Sequence, residues 1–396
     1  MIELSKRVKL LPPYLFADLE NTINQLKAKG VDLISFGVGD PDLPPPRAYL
    51  DKLSEEAANP KNHNYSFSRG EEDFRIAVSE WYKLRFGVDL DPETEVVALI
   101  GSKEGLANIA RAFIDDGDRV LVPDPAYPVY RNGATLLSDG QPIDIPLLKE
   151  LGFKPDLNVI SGKKAKMLYL NYPNNPTGAV VDLGFLKELV EMAREKNLIV
   201  CYDNAYSEIA FDGYVAPSIM QVEGAREIAV EFHSCSKTFS VTGDRIGFAV
   251  GSERLIKGLV EVKSQIDSGP PVYLQKAAAW ALRNYGSQEI LGELRKNVSE
   301  YQRRRDRLAE GLSKMGFECF KPKATFYLWV ECGGSSMEFA GRLLEAGVVA
   351  TPGVGFGKHG EGYLRFALTI PLNRMDEALS RIQEAIRHDG PGVKNS

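Results

Sequence analysis

The feature that most constrains this chain is a rhythm. Short apolar runs rich in branched residues alternate with segments of helical periodicity, and each run ends in a polar cluster. VVALIG (96–101) leads into EGLANIARAFI, and RVLVP (119–123) follows. KMLYLNYP (166–173), the amphipathic LGFLKELVEMAREKN and LIVCYDNAY (198–206) come next, and AVEFHSCSK and RIGFAVG complete the block. This βα alternation predicts a largely parallel sheet, because parallel neighbours need a crossover helix between them. After about residue 285 the character changes: a long charged helix containing ELRKNVSEYQRRRDRLAEGL precedes strand-like ATFYLWVE, VVATPG and YLRFALT. The expected fold is therefore α/β, with a large domain over residues 41–285 and a smaller α+β domain over 286–396. Residues 1–40 form an N-terminal arm and part of the smaller domain.

Composition excludes several classes of function. With 396 residues, 44% hydrophobic and 26% charged, the chain has the apolar content for a large buried core. A net charge of −6 without a basic run argues against a nucleic-acid partner. The N-terminal segment is broken by charges and by Pro12 and Pro13, unlike a signal peptide, and no stretch is long and apolar enough to span a membrane. Cys201, Cys235, Cys319 and Cys332 lack CxxC spacing, and His63, His233, His359 and His388 form no HxxxH or HExxH pair. The expectation is a cytoplasmic protein with reduced cysteines and no metal.

In open α/β sheets ligands lie beyond the carboxyl ends of the strands. The residues there are unusually polar: Gly101 to Lys103, Asp124 to Tyr127, Asn171 to Gly178, Asp203 to Tyr206, and Ser234 to Lys237. Singly each has an ordinary explanation. NNPTG makes a turn, Asp203 caps a helix, Lys237 snorkels to solvent, Lys103 lies on the surface and Tyr127 packs in a core. Jointly they describe a site, and a lysine just after the apolar run Ile228 to Phe232 demands a chemical reason.

YPNNPTG, DNAYSE, SCSKTFSVTGDRIG and YLRFALT, in that order, resemble the motifs of the class I/II pyridoxal-phosphate aminotransferases of fold type I, over essentially the whole chain. LPPYLFADLE, GDPDLPPP, IGSKEGLAN, PDPAYPVYR and TPGVGFG are similar to the LL-diaminopimelate aminotransferase branch. The resemblance implies a cofactor, pyridoxal 5'-phosphate, and a role for each matching residue. Lys237 resembles the Schiff-base lysine and proton shuttle, for which burial that lowers its pKa is useful. Asp203 resembles the carboxylate that keeps the pyridine nitrogen protonated. Tyr206 and Asn175 match the pair bonded to the ring's 3' oxygen, and Tyr127 the residue stacked on its face. Arg245, Ser234, Ser236, Ser102 and Lys103 match the phosphate end, where a helix N-terminus receives an anion. Tyr65, in HNYSFSRG, resembles a tyrosine that reaches the phosphate of the neighbouring subunit, which implies a homodimer with shared sites. Arg365 resembles the arginine that grips the substrate α-carboxylate, and Gly39 the loop closing over it. Tyr14 matches either a substrate contact or a packing staple beside Pro12 and Pro13.

The implied reaction moves an amino group from an amino acid to a 2-oxo acid such as 2-oxoglutarate, with LL-diaminopimelate as first donor. Aspartate or another amino acid is the alternative, and a lyase sharing the cofactor a further one. Ser68 and Arg69, Asp244, Gln265, and Pro270 with Pro271 depart from the branch's usual residues. They are expected to cluster at the substrate pocket, where Arg69 either projects in beside Tyr65 and disfavours a distal ammonium, or points to solvent and leaves diaminopimelate bound through other groups.

Overall fold

The computed structural model describes residues 2–12, 21, 23–26 and 28–387. Strand β1 is Ile34–Ser35, and the central sheet follows with β2 Val96–Leu99, β3 Arg119–Asp124, β4 Gln141–Pro146, β5 Met167–Asn171, β6 Ile199–Asp203, β7 Ala229–Ser234 and β8 Gly247–Gly251. These seven strands lie in the order β2-β8-β7-β6-β5-β3-β4. The five from β7 to β4 are mutually parallel, whereas β8 runs antiparallel to both β7 and β2. The rhythm of apolar runs thus predicts the sheet, and RIGFAVG turns back because only the one-turn helix Cys235–Thr238 and a short 3-10 turn, too little for a crossover, separate it from β7.

Alternation along β6 explains why the sheet is covered on both faces. Val200 and Tyr202 join one hydrophobic cluster with Leu168, Leu186 and Val250. Cys201, between them, joins the opposite cluster with Tyr169, Val230 and Ile109. With both faces sealed, the open positions are at the strand ends. Asn171, Asp203 and Ser234 terminate β5, β6 and β7, and Asn171 stands beside Asp203 in register.

A second sheet is built from β9 Glu318–Phe320, β10 Tyr327–Glu331, β12 Thr351–Pro352 and β13 Tyr363–Ala367, while β11 Val348–Val349 pairs in parallel with β1. Its strands pack with the helices Leu291–Lys314 and Leu372–Arg387 in a core that also takes Ile34, Phe36 and Tyr206. Among the described residues no helix is long and apolar enough to cross a membrane.

Candidate active site

A cavity of about 460 Å³ opens between the ends of β5, β6 and β7, the 37–40 loop and the second sheet. Asp203 sits at its floor, 5% exposed. The Tyr130 hydroxyl donates to its Oδ2 at 2.7 Å and the Ala205 amide to its Oδ1 at 3.3 Å. Burial is the main influence on this carboxyl and pushes its pKa up to about 6, against those hydrogen bonds and the nearby His233. Asn171 braces the neighbourhood twice: its Nδ2 donates to the Asp203 carbonyl at 2.8 Å, and its Oδ1 accepts from the Asn175 amide at 2.7 Å.

Lys237 follows β7 in the short helix Cys235–Thr238 and faces the same space. Its ammonium donates to the Gly39 carbonyl at 3.3 Å and lies 5.5 Å from the centre of the Phe326 ring. Enclosure by protein lowers its pKa to about 8; Asp40 opposes that shift, and Arg245 and Arg365 reinforce it. A neutral amine is therefore available close to physiological pH.

The cationic wall is held just as specifically. Arg365 lies on β13, where Nη1 donates to Asn175 Oδ1 at 2.8 Å and Nη2 to the Gly37 carbonyl at 2.9 Å. Its guanidinium stacks 4.2 Å above the Tyr327 ring. Arg245 donates to the Thr242 carbonyl at 2.8 Å and closes on the turn before the helix Ser102–Phe113. Gly101, at φ +74°, permits that approach, since a Cβ there would meet Arg245 Nη2 at 2.4 Å. The Thr242 hydroxyl donates to Asp40 Oδ1 at 2.7 Å, latching the 37–40 loop to this side.

The model of the aminotransferase class I and II family matches residues 31–382. This chain belongs to that family. The aminotransferase is 51% identical over 388 residues to LL-diaminopimelate aminotransferase of Moorella thermoacetica, covering 96% of this chain and 98% of that one. Among solved structures it resembles substrate-bound BacF from Bacillus subtilis, with a TM-score of 0.90, 33% identity and coverage of 97% and 98%. It also resembles aspartate aminotransferase from Thermus thermophilus with maleate, with a TM-score of 0.90, 29% identity and coverage of 97% and 100%. Its architecture is that of the fold-type I pyridoxal-phosphate transferases.

The cavity of the aminotransferase gathers Gly39, Ser102, Lys103, Tyr127, Asn175, Asp203, Tyr206, Ser234, Ser236, Lys237, Arg245 and Arg365. These are the sequence-stated candidates with two exceptions. Tyr65 lies outside it, 93% exposed, and Tyr14 falls outside the described residues. The residues present suit the family's cofactor on two counts: the Ser236 hydroxyl is buried against the cavity without a hydrogen-bond partner, and the Asp203 carboxylate is buried without a Lys or Arg ion pair among the described residues. A phosphate acceptor and a ring cation answer those needs.

None of the departures lines the cavity of its own chain, and several are held by neighbours elsewhere. The Asp244 carboxylate accepts from the Tyr49 hydroxyl at 2.7 Å, and the Ser68 hydroxyl donates to the Asp267 carbonyl at 3.2 Å. The Gln265 amide donates to Ser264 at 3.0 Å, and the Pro270 carbonyl accepts from Gln275 at 2.7 Å, just before Pro271 caps the helix Val272–Arg283. Arg69 does not line the cavity; its charge sits in the field of Arg75, Glu93, Asp91 and Glu253, and burial beside Arg75 lowers its pKa. Sequence reasoning also missed Tyr130, Tyr327 and Thr242, and gave Asn171, which it placed in the strand-end cluster, no role of its own. Tyr130 had one signal, its place three residues after Tyr127, across a turn in which its amide donates to the Tyr127 carbonyl at 3.3 Å.

Proposed function

We propose that this aminotransferase holds pyridoxal 5'-phosphate in the cavity and passes the amino group of LL-diaminopimelate to a 2-oxo acid, 2-oxoglutarate foremost. The observation that carries the donor is the near-complete overlap, at 51% identity, with an enzyme of that name. When bound, the cofactor supplies an aldehyde that accepts an amine and a ring that withdraws electrons from the adjoining carbon.

The chain's residues do the rest. Ser102, Lys103, Ser234, Ser236 and Arg245 hold the phosphate, Tyr127 covers the ring face, and Tyr206 and Asn175 bind the ring oxygen. Asp203 holds the proton on the ring nitrogen; a cation there offsets the cost of burying its carboxylate. Arg365 binds the substrate α-carboxylate in a fork fixed by Asn175 and Gly37, with Gly39 above it. Lys237, neutral in part near pH 8, takes the proton from the substrate α-carbon and holds it for return. The proposed order is a large domain over 41–285 and a small one over 286–396 that includes the 1–40 arm, a division supported by the β1–β11 pairing and the core shared by Phe36 and Phe366.

Tyr65, with Phe67 and Ile266 also exposed, supports a homodimer in which it reaches the partner's phosphate. Four free cysteines fit a reducing, cytoplasmic setting. The test is a half-reaction screen: cofactor-loaded protein is mixed with single amino acids and the absorbance of the bound cofactor followed. LL-diaminopimelate is expected to react fastest, with glutamate regenerating from 2-oxoglutarate. Fast reaction with aspartate and none with LL-diaminopimelate contradicts the donor assignment, and product released over many turnovers per cofactor with no 2-oxo acid added indicates a lyase.

A further inference from the structure

Behind the turn that carries Ser102 and Lys103, and outside the cavity lining, lies a buried ion cluster. Lys263, near the end of the helix Glu253–Ser264, is 0% exposed. Its ammonium donates to Glu104 Oε1 at 2.5 Å and to Asp267 Oδ1 and Oδ2 at 2.9 and 3.1 Å. Glu104 is the residue after Lys103. Its Oε1 also accepts from the Ile100 amide at 3.0 Å and its Oε2 from Asn108 at 2.8 Å, so this one carboxylate closes the first turn of the helix Ser102–Phe113 back onto the end of β2.

The other end of the cluster is anchored as firmly. Asp267 Oδ1 accepts from the Gly269 amide at 2.8 Å, and the Asp267 carbonyl accepts from Ser68. Gln275, 0% exposed, donates to Ser66 Oγ and the Pro270 carbonyl at 2.7 Å each and accepts from the Glu71 amide at 2.7 Å. The 66–71 and 267–270 segments are thereby fastened together, and Lys263 runs from that anchor to Glu104.

A lysine removed from water needs several hydrogen bonds to offset desolvation, and an apolar residue would fill the same space without that cost. We propose that Lys263 is a positioning residue for anion binding: through Glu104 it fixes the angle of the turn whose amides and side chains receive the cofactor phosphate. The proposal rests on the reading of Ser102 and Lys103 given above. It predicts a selective defect, since a misaimed phosphate turn weakens a phosphorylated ligand and leaves its dephosphorylated form unaffected, whereas a role in holding the fold together predicts no such selectivity.

The experiment measures equilibrium binding of pyridoxal 5'-phosphate and of pyridoxal to the cofactor-stripped full chain, with circular dichroism confirming the fold. Lys263→Met is expected to weaken pyridoxal 5'-phosphate by about tenfold or more, as expected for small misplacements, while pyridoxal changes less than about twofold. Should the single variant fail to fold, with Glu104 and Asp267 left facing each other, Lys263→Met/Glu104→Gln/Asp267→Asn removes the buried charge altogether and is expected to give the same selective loss. A folded variant with parental affinity for the phosphorylated form, or one weakened equally for both ligands, overturns the proposal. A parent that binds pyridoxal as tightly as pyridoxal 5'-phosphate overturns instead the phosphate reading beneath it.

Discussion

Asp203 shows at the scale of one residue how function is set against stability. Its pKa in the folded chain, about 6, is above the ordinary 3.8. A raised folded pKa contributes stability that is fully present below about pH 4 and lost as pH rises through about 6. In the cofactor-free protein that loss amounts to about 3 kcal/mol, taking a little over two pKa units at 1.36 kcal/mol each. Asp203→Asn escapes the loss, so urea unfolding of the two cofactor-free proteins is expected to show the variant gaining on the parent between pH 4.5 and pH 7.5, while its transamination falls at least about a hundredfold. A gap that does not change with pH contradicts the account of this carboxylate. Asp203 and Lys237 were legible in the sequence because the first ends an apolar strand and the second closely follows one, each inside a distinctive motif. The surroundings of Arg69 were not, because the burial and the Arg75 charge that act on it arise only in the fold. Tyr130 and Tyr327 were hidden for the same reason: their partners, Asp203 and Arg365, meet them only in the fold.

At the scale of elements, the site depends on the 37–40 loop lying flat against β10. A Cβ added to Gly39 would meet Tyr327 Oη at 2.0 Å, inside the ring that supports the Arg365 guanidinium. Gly39→Ala therefore forces either the loop or the tyrosine to move, and both displace groups around the proposed α-carboxylate site. The expected kinetic result is a rise in KM of about tenfold or more with a smaller change in kcat, because binding suffers before proton transfer does. An unchanged KM would show that the loop does not close on the substrate. The parallel strands were readable from their apolar runs, whereas the paired latch of Thr242 on Asp40 was not, since a threonine and an aspartate 202 positions apart carry no periodic signal.

At the scale of the whole molecule, two prominent exposed aromatics, Tyr65 at 93% and Phe67 at 74%, stand on a loop tied down by Gln275. A rigid loop presenting bare aromatic surface fits burial in a second copy of the chain. Sedimentation is expected to give a dimer, and mixing Lys237→Ala with Tyr65→Ala chains is expected to yield mixed dimers with one site holding both native residues and one lacking both. An active monomer contradicts the shared site. Within each chain the strand ends, the 37–40 loop and β13 all line one cavity, into which the Lys237 amine projects, and the central claim is that this amine carries the cofactor. The most direct measurement reduces the pyridoxal 5'-phosphate-loaded protein with borohydride, digests it and locates the phosphopyridoxyl group by mass spectrometry. The account predicts a single modified peptide, labelled at Lys237 and absent from Lys237→Ala. Labelling at Lys103 or a surface lysine, with Lys237 unmodified, would contradict it.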